Sequence, residues 1–201
     1  ANGTATATAL AGIFDSTASL EIGSFNGGTS ERLAGQVARC IVRSGFAGTT
    51  VADFNASGCY GPGYLNEGSL PTDGGGARYV PLRGVSGDYV WTADKAAVQL
   101  TGDLEIVARL ALDDWTPSTV QTVVARWSAG ASGKAYNLSV GGSVLTLYLS
   151  TDGTTTTTNS STAAPTFTDG STGWIKATRR SSDGRIQFFT APDAAGEPGV
   201  W

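Results

Sequence analysis

Any chemistry in this chain must come from groups other than imidazole, because its 201 residues include no His. That excludes imidazole general acid/base catalysis, Ser-His-Asp triads and His-ligated metals. Two Cys cannot build a structural zinc site. The Glu residues are Glu21, Glu31, Glu67, Glu105 and Glu197. Hydrolysis of a glycosidic bond needs two carboxyl groups facing one groove. Asp103 and Glu105 are the nearest approach, an i, i+2 pair on one face of a strand pattern. Their expected role is that of two solvated charges on an outer face, so no catalytic residue is assigned.

Oxygen ligands for a cation could come from Asp88, Asp113, Asp114, Asp152, Asp169 and Asp183, but no spaced calcium-loop pattern joins them. Single Asp residues beside Gly more often form turns through side-chain to backbone hydrogen bonds. Stacking of a sugar ring needs an exposed aromatic face with polar neighbours. Tyr60, Tyr64, Trp91, Trp115 and Trp127 are the candidates. Tyr60 and Tyr64 lie in a Gly-rich stretch and are the rings expected to be exposed, whereas Trp127 closes an apolar strand and is expected in the core. Four Asn-x-Ser/Thr matches, at Asn2, Asn55, Asn137 and Asn159, are no more than so Ser/Thr-rich a chain gives by chance.

The elements that must position these groups are short strands. Charged residues make up 15% of the chain and 28 residues are Gly, the profile of strands joined by many turns. Alternation predicts strands at 19–23, 36–43, 50–54, 88–92, 104–112, 120–127, 135–140, 144–150, 173–179 and 185–191. In 104–112, Leu104, Ile106, Ala108 and Leu110 face inward, with Glu105, Val107 and Arg109 outward. Val37, Cys40 and Val42 share an inner face only if a bulge falls near Ala38-Arg39. Residues 4–9 read as a weak strand, and the Thr-rich run from 154 suits an exposed edge. Asn26-Gly27-Gly28, Asp152-Gly153 and Asp183-Gly184 are turn signals. No segment sustains a 3.6-residue apolar period, so the fold class is all-β, a sandwich. Cys40 is expected as a buried thiol and Cys59 as a loop thiol, not as a disulfide.

Net charge is −4 and the only adjacent basic pair is Arg179-Arg180, which argues against nucleic-acid binding. No apolar run reaches the ~20 residues that cross a bilayer, and no signal peptide is visible. A chain without Met is expected to be a processed or partial product.

The order of motifs resembles the concanavalin A-like, laminin G-like jelly roll. The front of that fold is matched by Gly87-Asp-Tyr-Val90, Leu100-Thr-Gly-Asp-Leu-Glu-Ile-Val-Ala-Arg-Leu110, Val123-Val-Ala-Arg-Trp127, Tyr136 to Val140, Trp174-Ile-Lys-Ala-Thr178 and Gly184-Arg-Ile-Gln-Phe-Phe-Thr190. The back is matched by Leu20-Glu-Ile-Gly23, Asn26-Gly-Gly28 and Gly35-Gln-Val37 through Val42. Phe14-Asp-Ser-Thr17, Leu112-Asp-Asp-Trp-Thr-Pro117 and Asp169-Gly-Ser-Thr172 are most similar to modules in minor tail proteins of phages that infect actinobacteria. The back half comes first, so the resemblance divides the chain into 1–54 (back half), 55–78 (a Gly-rich connector) and 79–201 (front half). Joining Trp201 to Ala1 restores the usual order. The sandwich is therefore expected to be circularly permuted, or shared between neighbouring copies.

The resemblance implies a non-catalytic structural or adhesive module of a phage virion, in its tail, contacting a surface glycan, other virion subunits or copies of itself. The alternative is a secreted laminin G or lectin-like carbohydrate-binding domain. Calcium is the ion the resemblance implies, with Asp88, Asp113 and Asp114 as its candidate ligands; Tyr60, Tyr64, Trp91 and Trp115 are the candidate ligand-binding residues, although for Trp115 the family suggests packing. The glycosidases of the same sandwich class need a third acidic position, which here is Ala108.

Overall fold

The computed structural model describes residues 12–56, 79–130 and 132–201, together with the backbone of 4–6. Tyr60, Tyr64 and Cys59 lie outside the described residues. Among the described residues thirteen strands form two antiparallel sheets: β1 (Thr4–Thr6), β2 (Leu20–Ile22), β3 (Ala34–Ser44), β4 (Thr49–Asn55), β5 (Val80–Arg83), β6 (Val90–Thr92), β7 (Leu104–Leu112), β8 (Gln121–Trp127), β9 (Lys134–Gly141), β10 (Val144–Leu149), β11 (Thr157–Ser160), β12 (Thr172–Arg179) and β13 (Arg185–Pro192). No described residue is in an α-helix; a 3-10 turn spans Ala96–Val98. The seven-stranded sheet runs β1-β13-β12-β7-β3-β4, with β5 also paired to β3. The six-stranded sheet runs β11-β10-β9-β8-β2-β6. The all-β sandwich expected from the alternation is what forms.

The early strands are laid between late ones within one chain. β3 pairs with β7 on one side and with β4 and β5 on the other. β2 sits between β6 and β8. A single core fills the space between the sheets, from Leu20, Val37, Cys40 and Val42 through Leu104, Ile106 and Leu110 to Leu138, Leu147, Ile175 and Phe188. Fully burying side chains of this size contributes ~1.5–3 kcal/mol each, offset by the entropy of ordering the chain.

The bulge required by the β3 pattern is present. Pairing with β7 steps from Val37↔Leu110 to Arg39↔Arg109 and leaves Ala38 without an opposite number. The phase change keeps Val37, Cys40 and Val42 on the core side. At Gly35 (φ +149°), an added Cβ would lie 2.2 Å from the Ala111 carbonyl oxygen, so only Gly lets β3 approach β7 there. The turn signals also act as read. Asp152 accepts from the backbone N–H of Thr154 (2.8 Å) and Thr155 (2.7 Å), and Asp183 accepts from that of Arg185 (3.1 Å).

Strand β5 departs from the alternation reading. Pro81 interrupts its β pattern, but β5 pairs with β3 alone, and an edge tolerates a residue with no N–H. The outer face of the seven-stranded sheet departs further from expectation. Every residue of β7 is buried, including Glu105, Val107 and Arg109. Residues 193–201 lie over that face as a strap. Arg109 donates Nε to Asp193 Oδ1 (2.7 Å) and Nη2 to Oδ2 (3.0 Å). The Trp174 indole donates to the Ala194 carbonyl (3.0 Å). Arg43 donates to Glu105 (2.7 Å) and, through both terminal nitrogens, to Glu197. The Lys176 ammonium lies 4.2 Å from the Trp201 ring centre and 4.9 Å from that of Phe189. Beneath the strap, Ile41, Val107, Trp174 and Ala191 make a small second core. Glu105 is thus a buried ion-pair partner rather than a solvated charge, because the strap excludes water from its face. Asp103, the residue before β7, instead accepts from the Ser181 backbone N–H (2.6 Å) and hydroxyl.

Candidate functional site: a cleft between two sheet edges

Strands β4 and β6 are edges of opposite sheets on the same side of the sandwich, and a cavity of about 400 Å³ opens between them. That volume falls within the range of small-molecule sites, ~300–1,000 Å³. Its floor is apolar and continuous with the core, made by Leu20, Ile22, Cys40, Val42, Val90 and Val124. Thr92 of β6, Lys95, and Asp53 and Asn55 of β4 complete its lining, although Asp53 lies opposite Ile41 and so on the outer side of its sheet. Asp53 accepts a bidentate pair from Arg39, Nε at 3.0 Å and Nη2 at 2.8 Å, which holds Arg39 even more firmly protonated than usual.

Phe54 and Trp91 are the aromatic residues of this site, and Trp91 is the exposed one. It pairs with Glu21 across β2, while its neighbour Val90 pairs with Ile22 and is buried. Alternation therefore turns the indole away from the core, and Trp91 is 56% exposed. An exposed indole is a face on which a sugar ring can stack. Burial raises the Cys40 thiol to about 12, so at neutral pH it is protonated and a poor nucleophile. Among the described residues Cys40 is the free cysteine.

The other candidates are placed elsewhere. Trp115 is a correction to the aromatic set: it is fully buried, packed against Phe167 with ring centres 4.6 Å apart and planes tilted by 54°, and donates its indole N–H to the Ser171 carbonyl (3.1 Å). Asp169 accepts from its backbone N–H (2.8 Å), so the whole residue is a packing anchor with no face to offer. Trp127 is buried but lies outside the main core, edge-on to Tyr148 and beneath Lys134.

The carboxylates proposed for calcium do not converge. Asp88 is buried and takes the Arg83 guanidinium on both oxygens (2.8 Å each), which pulls its carboxyl below the ordinary range. A carboxylate so engaged has no charge left over for a cation. Asp114 closes a turn on Thr116 (2.7 Å), and Asp113 is exposed. Among the described residues no three His, Cys, Asp or Glu side chains gather. These residues do not fit a calcium site.

Each described Glu also has a structural partner. Glu21 accepts from the backbone N–H of Gly27 (2.9 Å) and Gly28 (3.2 Å), which clamps the Asn26-Gly27-Gly28 turn. Glu31 accepts from the Thr122 hydroxyl (3.1 Å) and the Asn137 amide (3.4 Å). Asn137 and Asn159 are buried, which removes both from the glycan-acceptor matches. Sequence reasoning named Trp91 but missed the cleft beside it, because nothing local reveals that β4 and β6 end on the same side of the sandwich. No helix among the described residues is long and apolar enough to cross a membrane. No protein-family model, curated protein or solved structure matches the chain.

Proposed function

We propose that this chain is a non-catalytic structural and adhesive module of a phage virion, part of its tail, that binds a surface glycan at the β4–β6 cleft and contacts neighbouring subunits. The observation carrying the glycan half is Trp91, an exposed indole on an edge strand beside a cleft that Thr92 and Lys95 also line. Sugar recognition uses that pairing of a stacking face with directional hydrogen bonds. The partnering of Glu21, Glu31, Glu105 and Glu197 with donors of the fold supports the non-catalytic half, since a glycosidase keeps an acid and a base free to face substrate. The virion assignment rests on the resemblance of the motifs alone.

Glycan-array binding of the full chain, compared with Trp91→Ala, tests the reading. Loss of a stacked ring lowers affinity about tenfold, or ~1.4 kcal/mol. A chain that binds no glycan, or a Trp91→Ala variant that binds as well as the parent, overturns the adhesive assignment. Release of reducing sugar from a polymer overturns the non-catalytic one.

A further inference from the structure

The inner face of β4 is left unfinished. Ala52 and Phe54 lie opposite Val42 and Cys40 of β3, so their side chains point toward the core. Val42 and Cys40 are buried, but Ala52 and Phe54 are only half-buried. On their open side they border the cleft of about 400 Å³. The opposite sheet contributes Ile22, Val90 and Val124 to its walls, and the 3-10 turn contributes Val98. Sugar hydroxyls entering a space so lined would lose water and meet few replacement partners, which is unfavourable. A hydrocarbon chain gains by leaving water for the same surroundings.

A second observation concerns the polar groups of the same cleft. Thr92 pairs with Leu20, so it shares the inner face of β6 with Val90. Lys95 follows β6 and is exposed. Both line the cleft, and neither side chain has a hydrogen bond or ion pair among the described residues. The neighbouring acids are already paired, Asp94 with Arg126 and Asp53 with Arg39. Lys95 is therefore a cation of the lining with no counter-charge, and Thr92 adds a hydroxyl donor. Together they match a carboxylate.

We propose that the cleft binds a fatty-acid-type anion, a single unbranched hydrocarbon chain that enters between β4 and β6 and leaves its carboxylate at Lys95 and Thr92. The chain lies between Ala52 and Phe54 of one sheet and Ile22 and Val124 of the other, and completes the burial that β4 lacks. The proposal goes beyond glycan stacking on Trp91, whose indole projects from the other face of β6, and does not depend on it.

The test is calorimetric titration of the full chain with octanoate, decanoate and dodecanoate at neutral pH, each below its micellar concentration. Every methylene that enters the cleft is expected to raise affinity about fourfold, until the chain outgrows the space. Lys95→Glu is expected to weaken decanoate about tenfold and to leave the uncharged decanol unaffected. Ala52→Trp fills the cleft from a half-open position and is expected to abolish binding of all three acids; circular dichroism checks that its sheets are intact. In the parent, decanoate is expected to shift the methyl NMR signals of Ile22, Val42 and Val124 and to leave those of Ile41 and Val107, on the other side of β3 and β7, in place. Absence of binding, or affinity that does not grow with chain length, overturns the proposal. Undiminished binding by a folded Ala52→Trp chain, or unmoved Ile22, Val42 and Val124 signals, overturns the location. A Lys95→Glu chain that keeps its decanoate affinity, or loses decanol equally, overturns the carboxylate head. Glycan-array binding by the parent is a separate readout: acids bound without glycan leave this site standing and remove the adhesive reading, and glycan bound without acids does the reverse.

Discussion

Arg43 and Glu197 are 154 residues apart and form a two-pronged ion pair, with Arg43 Nη1 3.0 Å from Glu197 Oε1. Arg43 also holds Glu105, so one guanidinium ties β3, β7 and the strap together. The hydrogen bond to Arg43 keeps the Glu197 carboxyl below its usual range, against the opposing effect of its partial burial. A carboxylate depressed in the folded state stabilises the fold above its unfolded value of ~4.3, and that contribution disappears as pH falls through the lower folded value. Lys176 and Arg39 act on Glu197 in the same sense as Arg43. The stability difference between the parent and Glu197→Gln is therefore expected to be ~1 kcal/mol at neutral pH, given the pair's partial exposure, and to vanish in acid. Urea unfolding of both proteins across pH 2–7, roughly the span over which such a carboxylate titrates, checks this. A difference independent of pH would remove the ion pair as its cause.

Arg126 gives an asymmetric prediction. Its side chain is fully buried while its partners Asp15 (3.2 Å) and Asp94 (2.7 Å) remain partly exposed, and its Nε has no hydrogen-bond partner. Replacing Arg126 with Met removes a desolvated charge and frees two acids that water can serve, so stability is expected to change by less than ~1 kcal/mol. Neutralising both partners in Asp15→Asn/Asp94→Asn leaves the guanidinium buried and uncompensated, at a cost of ~3 kcal/mol. Thermal melts of the two variants rank them; the reverse order would refute the desolvation argument.

At Gly35 the contact is backbone to backbone, so no side chain can move aside. An added Cβ would also lie 2.9 Å from the Leu112 Cα, besides its clash with the Ala111 oxygen. Gly35→Ala is expected to destabilise the chain by more than ~3 kcal/mol and to free the upper end of β3 from β7. Hydrogen exchange would show it as lost protection at Gln36 and Val37, with the β8–β9 ladder retained.

Cys40 is an acid whose charged form the fold disfavours. Its contribution to stability is complete below the unfolded thiol value of ~8.5 and declines as pH rises toward the folded value of about 12. In the native chain at pH 8 it is expected to resist alkylation by iodoacetamide and to react promptly in denaturant. Peptide mass mapping in a Cys59→Ser background reads this residue alone; rapid native labelling would mean that the cleft floor is open to solvent.

Strand positions were legible wherever one face is core and the other is not. The alternation in 185–191 and 144–150 located β13 and β10 to within a residue, and the broken alternation at Ala38-Arg39 announced the bulge. Where both faces are covered, alternation carries less information: Glu105, Val107 and Arg109 read as a wet face although the strap buries them. The strap itself has no period, since its contacts fall at Asp193, Glu197 and Trp201 through irregular backbone. Trp115 and Trp91 both stand near polar residues in the sequence. Only tertiary packing distinguishes the ring buried on Phe167 from the one at an edge.

The interleaving of β2 and β3 among later strands bears on how the chain acquires its structure during synthesis. The β3–β4 hairpin can close locally, but β2 gains a neighbour only with β6 and β8, and the free side of β3 waits for β7. Every residue through Trp127, the end of β8, must therefore leave the ribosome before these first core strands are covered. Such non-local closure is slow. A pause in translation before β7 would thus prolong the lifetime of a sticky nascent intermediate, and a pause after β8 would still leave β7 and β8 without their partners β12 and β9.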